Sequence, residues 1–443
     1  MSPVNCDPSG LRLIFRALRH KNYRLYFTGQ SVSLMGTWMQ RITVGWLVYR
    51  LTDSPFLLGV VGFAGQIPTF FMAPLAGALS DRWNRLRIIQ VMQYLAMAQA
   101  AVLAVLVLTD VVTVTHVIVL SVVLAVVNGF DMPVRQAFTV EMVDRKEDLG
   151  NAIALNSSMF NAARLIGPSV AGILIATMGE GICFLVNALS YIPVIFALRA
   201  IKVPPRRRPH GQTHVLRDLK DGVSYAFGFT PIKYIILLLA LISLVGMPYQ
   251  VLMPVFARDV LHGGPHTLGF LVGASGVGAI IGAFYMAARK SVRGLGSMIP
   301  VMSGLFGVGL IAFSLSPNVW LSYFFVAVAG FGMIVHMASS NTVMQTVVDD
   351  GKRGRVMSFY TMSFMGMAPL GSLAAGSLAG TIGAPYTLAM GGALAVVGAL
   401  LFARKLPEMG KAVLPIYARE GIIQEPGLGI QEGTQFNLPK RRG

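Results

Sequence analysis

Charge is scarce in this chain: 12% of its 443 residues are Asp, Glu, Lys or Arg, against 54% hydrophobic. That ratio excludes a soluble protein, whose surface so few charges could not cover. Cysteine is nearly absent. Cys6 and Cys183 stand far apart, one in an N-terminal tail and one in an apolar segment, so neither a disulfide framework nor a metal site can be built from them. Catalytic signatures are missing as well. Without a GxxxxGK[ST] phosphate loop the chain should not hydrolyse ATP itself, and HExxH and GxSxG do not occur. GVGAIIG, Gly276 to Gly282, copies half a dinucleotide fingerprint but lies inside an apolar run with no strand before it, which points to helix packing. The opening MSPVNCDPSGLRLIFRALRHKNYR is basic but lacks a short apolar core and a small-residue cleavage site, so no cleaved signal peptide is expected.

What the chain does have is apolar runs of about 20 residues, each enough to cross some 30 Å of hydrocarbon. Twelve are expected, near 26–49, 56–79, 88–108, 115–134, 152–176, 182–200, 232–256, 268–288, 296–315, 319–340, 357–381 and 386–403. The fold class that follows is an all-α membrane protein. The formal charge of +17 would suggest nucleic acid in a soluble protein, but its distribution gives it another meaning. Alternate connections hold Arg82, Arg85 and Arg87, then Arg145 and Lys146, Arg206 to Arg208, Arg289, Lys290 and Arg293, and Lys352, Arg353 and Arg355. The opposite connections near Thr109–Thr115, Met178–Gly181, Ser316–Val319 and Gly383–Pro385 have no Lys or Arg. By the positive-inside rule both termini are cytoplasmic, with anionic lipid headgroups as the contact of the basic loops and no nucleic-acid partner.

A polar, Pro- and Arg-rich stretch divides the chain near its middle. The expected units are a cytoplasmic segment 1–25, a six-helix half 26–200, a central loop 201–231 in which 215–227 allows an interfacial helix, a second six-helix half 232–405, and a disordered tail 406–443. The halves echo each other at an offset of about 205 residues: Gly77 falls opposite Gly282, Arg85 opposite Lys290, and Gly167, Pro168 and Gly172 near Pro369, Gly371 and Gly376. Duplicated halves of this kind are the pattern of a transporter whose site lies between them. The acidic groups are not duplicated, since Asp81 faces Met286 and Asp131 faces His336.

Between the second and third spans, GALSDRWNRLR packs charges into a short loop, and its Gly77, Asp81, Arg82 and Arg85 resemble the corresponding loop of the major facilitator superfamily. SLMGTWMQRITVGWLVYRLTDSP, GFAGQIPTFFMAPLAGALSDRWNR, NGFDMPVRQAF and LGNAIALNSSMFNAARLIGPSVAGIL are similar to the branch of that superfamily holding the bacterial enterobactin exporter, over roughly residues 11–405. The resemblance implies two pseudo-symmetric six-helix halves in the bacterial inner membrane, and export of a small organic molecule, siderophore- or drug-like. It also implies a latch in which Asp81 meets Arg135 and the N-terminus of the eleventh helix around Gly354 to Ser358. A carboxylate at a helix N-terminus gains about 0.3 to 1 kcal/mol. GPSVAG, Gly167 to Gly172, resembles the fifth-helix run of antiporters.

Polar residues inside spans are functional candidates by default, and interhelical glue is their usual alternative. Asp131 and Arg135 lie four apart on one helix face, which allows a local ion pair or, if the pair opens, a proton site. His336 is the other titratable candidate for proton coupling. Arg164 sits near the middle of its span, where facing lipid would cost about 2.5 to 3.5 kcal/mol, so it must face an interior. With it as cavity candidates go Gln30, Trp38, Arg41, Asn156, Asn161, Tyr249 and Gln250. The expected protein is a monomeric secondary transporter that exports a small molecule in exchange for protons, with no cofactor and no metal. The alternatives are uptake by the same fold, a non-transporting scaffold, or a membrane-embedded enzyme, for which no catalytic constellation can be assembled.

Overall fold

The computed structural model describes residues 15–80, 83–202, 228–289 and 291–419. Among the described residues there is no strand. Helix is what lipid demands, because no water is present there to satisfy backbone donors and acceptors. The first half holds α1 (Lys21–Thr52), a second span broken at Gly65 into α2 (Pro55–Ala64) and α3 (Ile67–Ser80), then α4 (Arg85–Leu108), α5 (Val114–Thr139), α6 (Leu149–Met178) and α7 (Glu180–Ala200). The second half repeats the plan: a broken seventh span, α8 (Thr230–Val245) with α9 (Tyr249–Val255), then α10 (Pro265–Ala287), α11 (Leu295–Ser314), α12 (Val319–Val347), α13 (Asp350–Ile382) and α14 (Ala384–Arg419).

Eleven of the described segments are long and apolar enough to cross a bilayer. The remaining expected span, α1, is 32 residues long, about 48 Å of helix, but is too polar to count among them. Its Gln30, Ser33, Gln40 and Thr43 are buried inside the bundle, so the polarity is hidden from lipid.

The duplication read from the sequence appears in the connections. Gly179 joins α6 to α7 with φ +82°, and Gly383 joins α13 to α14 with φ +87°, a left-handed conformation that costs glycine nothing. Each half also meets the other through one matched contact, α2 on α13 and α6 on α10. Glycines let the backbones touch there. A Cβ on Gly59 would lie 2.9 Å from the Cα of Gly376, and one on Gly172 would lie 3.0 Å from the Cα of Gly269. GVGAIIG is a packing run as expected: Gly276 abuts Leu165, while Gly278 and Gly282 abut Ala327 and Ile334.

All four of those contacting glycines lie toward the end of the bundle away from the termini, called here the far end. One apolar core joins the two halves there, with Trp46, Leu58, Val61 and Ile175 continuous with Phe256 and Leu268. Toward the termini end the first half keeps a separate core of its own around Tyr23, Tyr26, Val134, Phe138 and Tyr191.

Two boundaries differ from expectation. The last helix does not stop at 405: α14 continues through Leu406 to Arg419, because Met409 and Val413 are buried and Ile416 and Tyr417 pack on the core, one apolar stripe at helical spacing. The eleventh span begins at Asp350, so Gly354 to Ser358 already belong to its second and third turns rather than to its N-terminus. The possible interfacial helix at 215–227 and the tail from 420 lie outside the described residues, as do Asp81, Arg82 and Lys290.

Candidate functional site

The centre of the bundle is built mainly on α1 and α6. Gly167 lets the two helices approach, its added Cβ falling 2.8 Å from that of Trp38. Trp38 is buried, meets Phe160 edge-on at 5.5 Å between ring centroids, and carries the Arg41 guanidinium 5.3 Å from its own centroid. Arg41 is exposed although it is the twenty-first residue of a 32-residue helix, and α1 lies against α6 and α7 inside the bundle. Exposure at mid-span on a helix packed within the bundle places Arg41 against open space between the helices. Arg164, halfway along α6, is half-buried and lies one turn beyond Phe160, as Arg41 lies one turn beyond Trp38, so the contact between the two rings brings the two guanidiniums to the same level of the bundle. Asn161 is one turn before Arg164, half-buried, with its side-chain amide donating back to the Ser157 carbonyl at 2.9 Å.

Other polar candidates tie helices together. Asn156 accepts a hydrogen bond from the Tyr23 hydroxyl at 3.0 Å and donates to Thr139 at 3.3 Å, joining α1, α5 and α6. Tyr249 shares a 2.7 Å hydrogen bond with Ser275 of α10 and accepts one from Gln250 at 3.3 Å. Gln30 is buried, and its Oε1 has no partner. Gln40, Gln99 and Asn187 form a chain across α1, α4 and α7: Asn187 donates to Gln40 at 2.6 Å and Gln40 to Gln99 at 2.9 Å.

Asp131 and Arg135 form an ion pair within α5, and Gln93 of α4 donates to the second carboxylate oxygen at 3.0 Å. Asp131 is 2% exposed, so the carboxylate is enclosed within the first half. His336 of α12 is equally enclosed, with Nδ1 2.8 Å from the Ser303 hydroxyl of α11. Of the gating residues, Gly77 lies in α3 and Arg85 pairs with Glu141 at 2.9 Å. Among the described residues no three His, Cys, Asp or Glu side chains gather as metal ligands.

The far end holds a cluster that sequence reading did not single out. A π turn, Phe256–Val260, ends the seventh span, and such turns recur at functional sites. Its Arg258 pairs with Asp53 at the end of α1, and the Tyr49 hydroxyl donates to Asp259, so two polar links bridge the halves. Asp53 and Arg258 are 205 residues apart, the offset of the repeat. That spacing was the available signal: equivalent positions near a pseudo-two-fold axis can meet, and here they carry opposite charge.

With this geometry in hand, the similarities to known proteins are informative. The family model described as transmembrane secretion effector matches residues 14–424. The chain is 23% identical over 380 residues to the staphyloferrin A transporter of Staphylococcus aureus, covering 86% of this chain and 95% of that protein. It is 27% identical over 385 residues to the multidrug efflux pump Tap of Mycolicibacterium fortuitum, covering 84% and 92%. Among solved structures, a bacterial homolog of the human lysosomal transporter Spinster, inward-facing and unoccupied, superposes with TM-score 0.68 at 13% identity, covering 88% of this chain and 97% of that one. Duplicated six-helix halves and a family match over nearly the whole described chain place this protein in the transmembrane secretion effector family of the major facilitator superfamily, transporters rather than enzymes.

Proposed function

We propose that this protein exports a small organic molecule from the cytoplasm by alternating access. The observation that carries the reading is the unequal sealing of the cavity. At the far end the halves share an apolar core, two glycine contacts and two polar links, whereas toward the termini the first half keeps a core of its own. The termini end also bears the bulk of the basic loop residues, Arg85, Arg87, Arg145, Lys146, Arg289 and Arg293 among them, and the positive-inside rule makes it cytoplasmic, against anionic headgroups. The far end has Arg50 and Arg258, each paired with a carboxylate. A cavity that opens to the cytoplasm is the loading state of an exporter. Relatives that carry a siderophore and drugs support a substrate of that size.

Protons are the proposed coupling ion. Among the described residues Asp131 is the one carboxylate in the interior of a span, so a proton carried on a membrane carboxylate has that residue as its seat. Rocking of the halves would have to loosen Arg135 to free it. Gly77, Asp81, Arg82 and Arg85 are proposed to latch the cytoplasmic end in the opposite state.

The test uses the purified full-length chain in liposomes with a pH-sensitive dye inside, an imposed proton gradient, and siderophores and amphipathic drugs added one at a time. A compound that dissipates the gradient only with intact protein establishes coupled transport and names the class. Accumulation in the direction of uptake, in oriented vesicles, overturns export. Asp131→Asn should abolish the response to the pH gradient, and coupling that survives it removes Asp131 as the proton site.

A further inference from the structure

Arg41 and Arg164 raise a problem that the transport reading leaves open. Both sit at mid-span, each one turn beyond a ring of the Trp38–Phe160 pair, which brings them to the same level of α1 and α6, and among the described residues neither is in an ion pair with a carboxylate. The nearby buried acid, Asp131, is committed to Arg135 and Gln93. Guanidinium groups at that depth are costly and are ordinarily paired with a counter-charge. Arg41 is instead held over the indole of Trp38, an attraction that orients the group without neutralising it. The edge-on Trp38–Phe160 pair adds an apolar wall beside the two charges, and Phe160 is 40% exposed.

We propose that Arg41 and Arg164 form an anion clamp, so that the cavity selects molecules bearing a carboxylate, sulfonate or phosphate on an apolar or aromatic body. This rests on the export reading and names its substrate class. Two guanidiniums offer forked donors that match such oxygens, and a bound anion removes the repulsion between them. The aromatic pair receives the body, and half-buried Asn161, one turn from Arg164, extends the polar rim. A cation gains nothing here: among the described residues no free carboxylate faces the cavity to receive one. Anionic lipid headgroups share the recognised chemistry, so the source of the anion has to be separated by experiment.

Binding is measured without any gradient, which keeps this inference apart from the transport reading. The full-length protein in phosphatidylcholine nanodiscs is titrated against carboxyfluorescein and rhodamine 123, an anion and a cation on one ring skeleton, and read by fluorescence anisotropy. Carboxyfluorescein should bind and rhodamine 123 should not. Arg41→Gln and Arg164→Gln should each weaken the anion by about tenfold, the double variant should abolish binding, and Arg50→Gln at the far rim should leave it unchanged. Circular dichroism and gel filtration establish folding, and Arg164→Lys, which keeps the charge but loses the forked donors, covers the case in which a glutamine variant fails to fold: its affinity should fall between those of the wild type and Arg164→Gln. Weaker carboxyfluorescein binding in nanodiscs containing phosphatidylglycerol identifies the lipid headgroup as a competing ligand of the same clamp. Preference for rhodamine 123, undiminished anion binding in the double variant, or no anion binding by the wild type overturns the clamp. Anion binding with no transport in liposomes keeps the clamp and removes export.

Discussion

The two ends of the bundle are built by opposite means. At the far end the halves meet backbone to backbone at Gly59–Gly376 and Gly172–Gly269, over a shared apolar core, with Asp53–Arg258 and Tyr49–Asp259 across the rim. Toward the termini end, polar links tie residues of one half to each other: Asp131–Arg135–Gln93, Arg85–Glu141, and Arg16 and His20 on Asp148 in the first half, and Arg419–Asp349 in the second. The difference teaches where rigidity and where movement belong. In the proposed alternating access, charges inside one half hold that half together, while contacts between halves must be weak enough to break in every cycle.

The largest expected effect tests the first kind of contact. Asp131→Asn leaves the half-buried Arg135 guanidinium without its counter-charge; breaking a fully buried pair costs about 3 to 5 kcal/mol, and the partial exposure of Arg135 puts the expected loss at or below the lower end of that range. Thermal unfolding in detergent should show the loss, and Asp131→Asn with Arg135→Gln should recover most of it. A stable single variant would mean that the pair does not hold the half together.

The glycine contacts come next. Gly59→Val or Gly172→Val should cost about 1 to 3 kcal/mol of overpacking in the far-end-closed state. Because the open state is spared, thiol labelling of a cysteine placed at the far rim should rise and transport should fall. Equal effects from the two variants would match the equivalence of the two contacts, Gly59–Gly376 and Gly172–Gly269; an effect from one alone would break the symmetry argument.

The rim links are weaker. Exposed ion pairs contribute about 0.2 to 1 kcal/mol, so Asp53→Asn or Arg258→Gln should raise far-end labelling by only a few fold. The two changes together should do no more than either alone. Additive effects would show that the side chains act separately.

The smallest effect belongs to the termini end. His20 precedes α1, and its ring reaches Asp144 and Asp148, each at 3.0 Å. Burial opposes charging the ring, but hydrogen bonds and attraction from the two carboxylates outweigh it, raising its pKa above the ordinary 6.5. A raised folded pKa stabilises fully below the unfolded value, and that contribution fades as pH climbs through the folded value. Thermal stability should therefore decline slightly between about pH 6 and 8. His20→Gln should flatten the slope, and a slope that persists must come from other groups.

Much of this was legible without coordinates. The long apolar runs, the repeat near 205 residues and the loop motif pointed to two six-helix halves, and Arg164 had to face an interior because lipid would not hold it. Other parts were not legible. Asn156 and Asn161 lie on one helix and look alike in sequence, yet at about 100° per residue they point about 140° apart, one toward Tyr23 and Thr139 and the other beside Arg164. Nor did polarity mark the far-end links, since Asp53 and Arg258 sit in short loops where charge is unremarkable.

Sequence alone determined how many times the chain crosses, which end carries the positive charge, and that Asp131 has no acidic counterpart at the matching position of the second half, where His336 stands. Those properties depend on hydrocarbon thickness and on charge counted along the chain, and both are local. Only the tertiary structure decided that Asp131 is enclosed with Arg135 and Gln93 while Arg41 is held over Trp38, at the level of Arg164, away from any carboxylate ion pair among the described residues. In lipid the outer and inner faces of a helix are nearly equally apolar, so hydropathy cannot fix how a helix is rotated about its axis. Close packing at Gly167, Gly172 and Gly59 fixes that rotation, and with it the side chains that face the cavity.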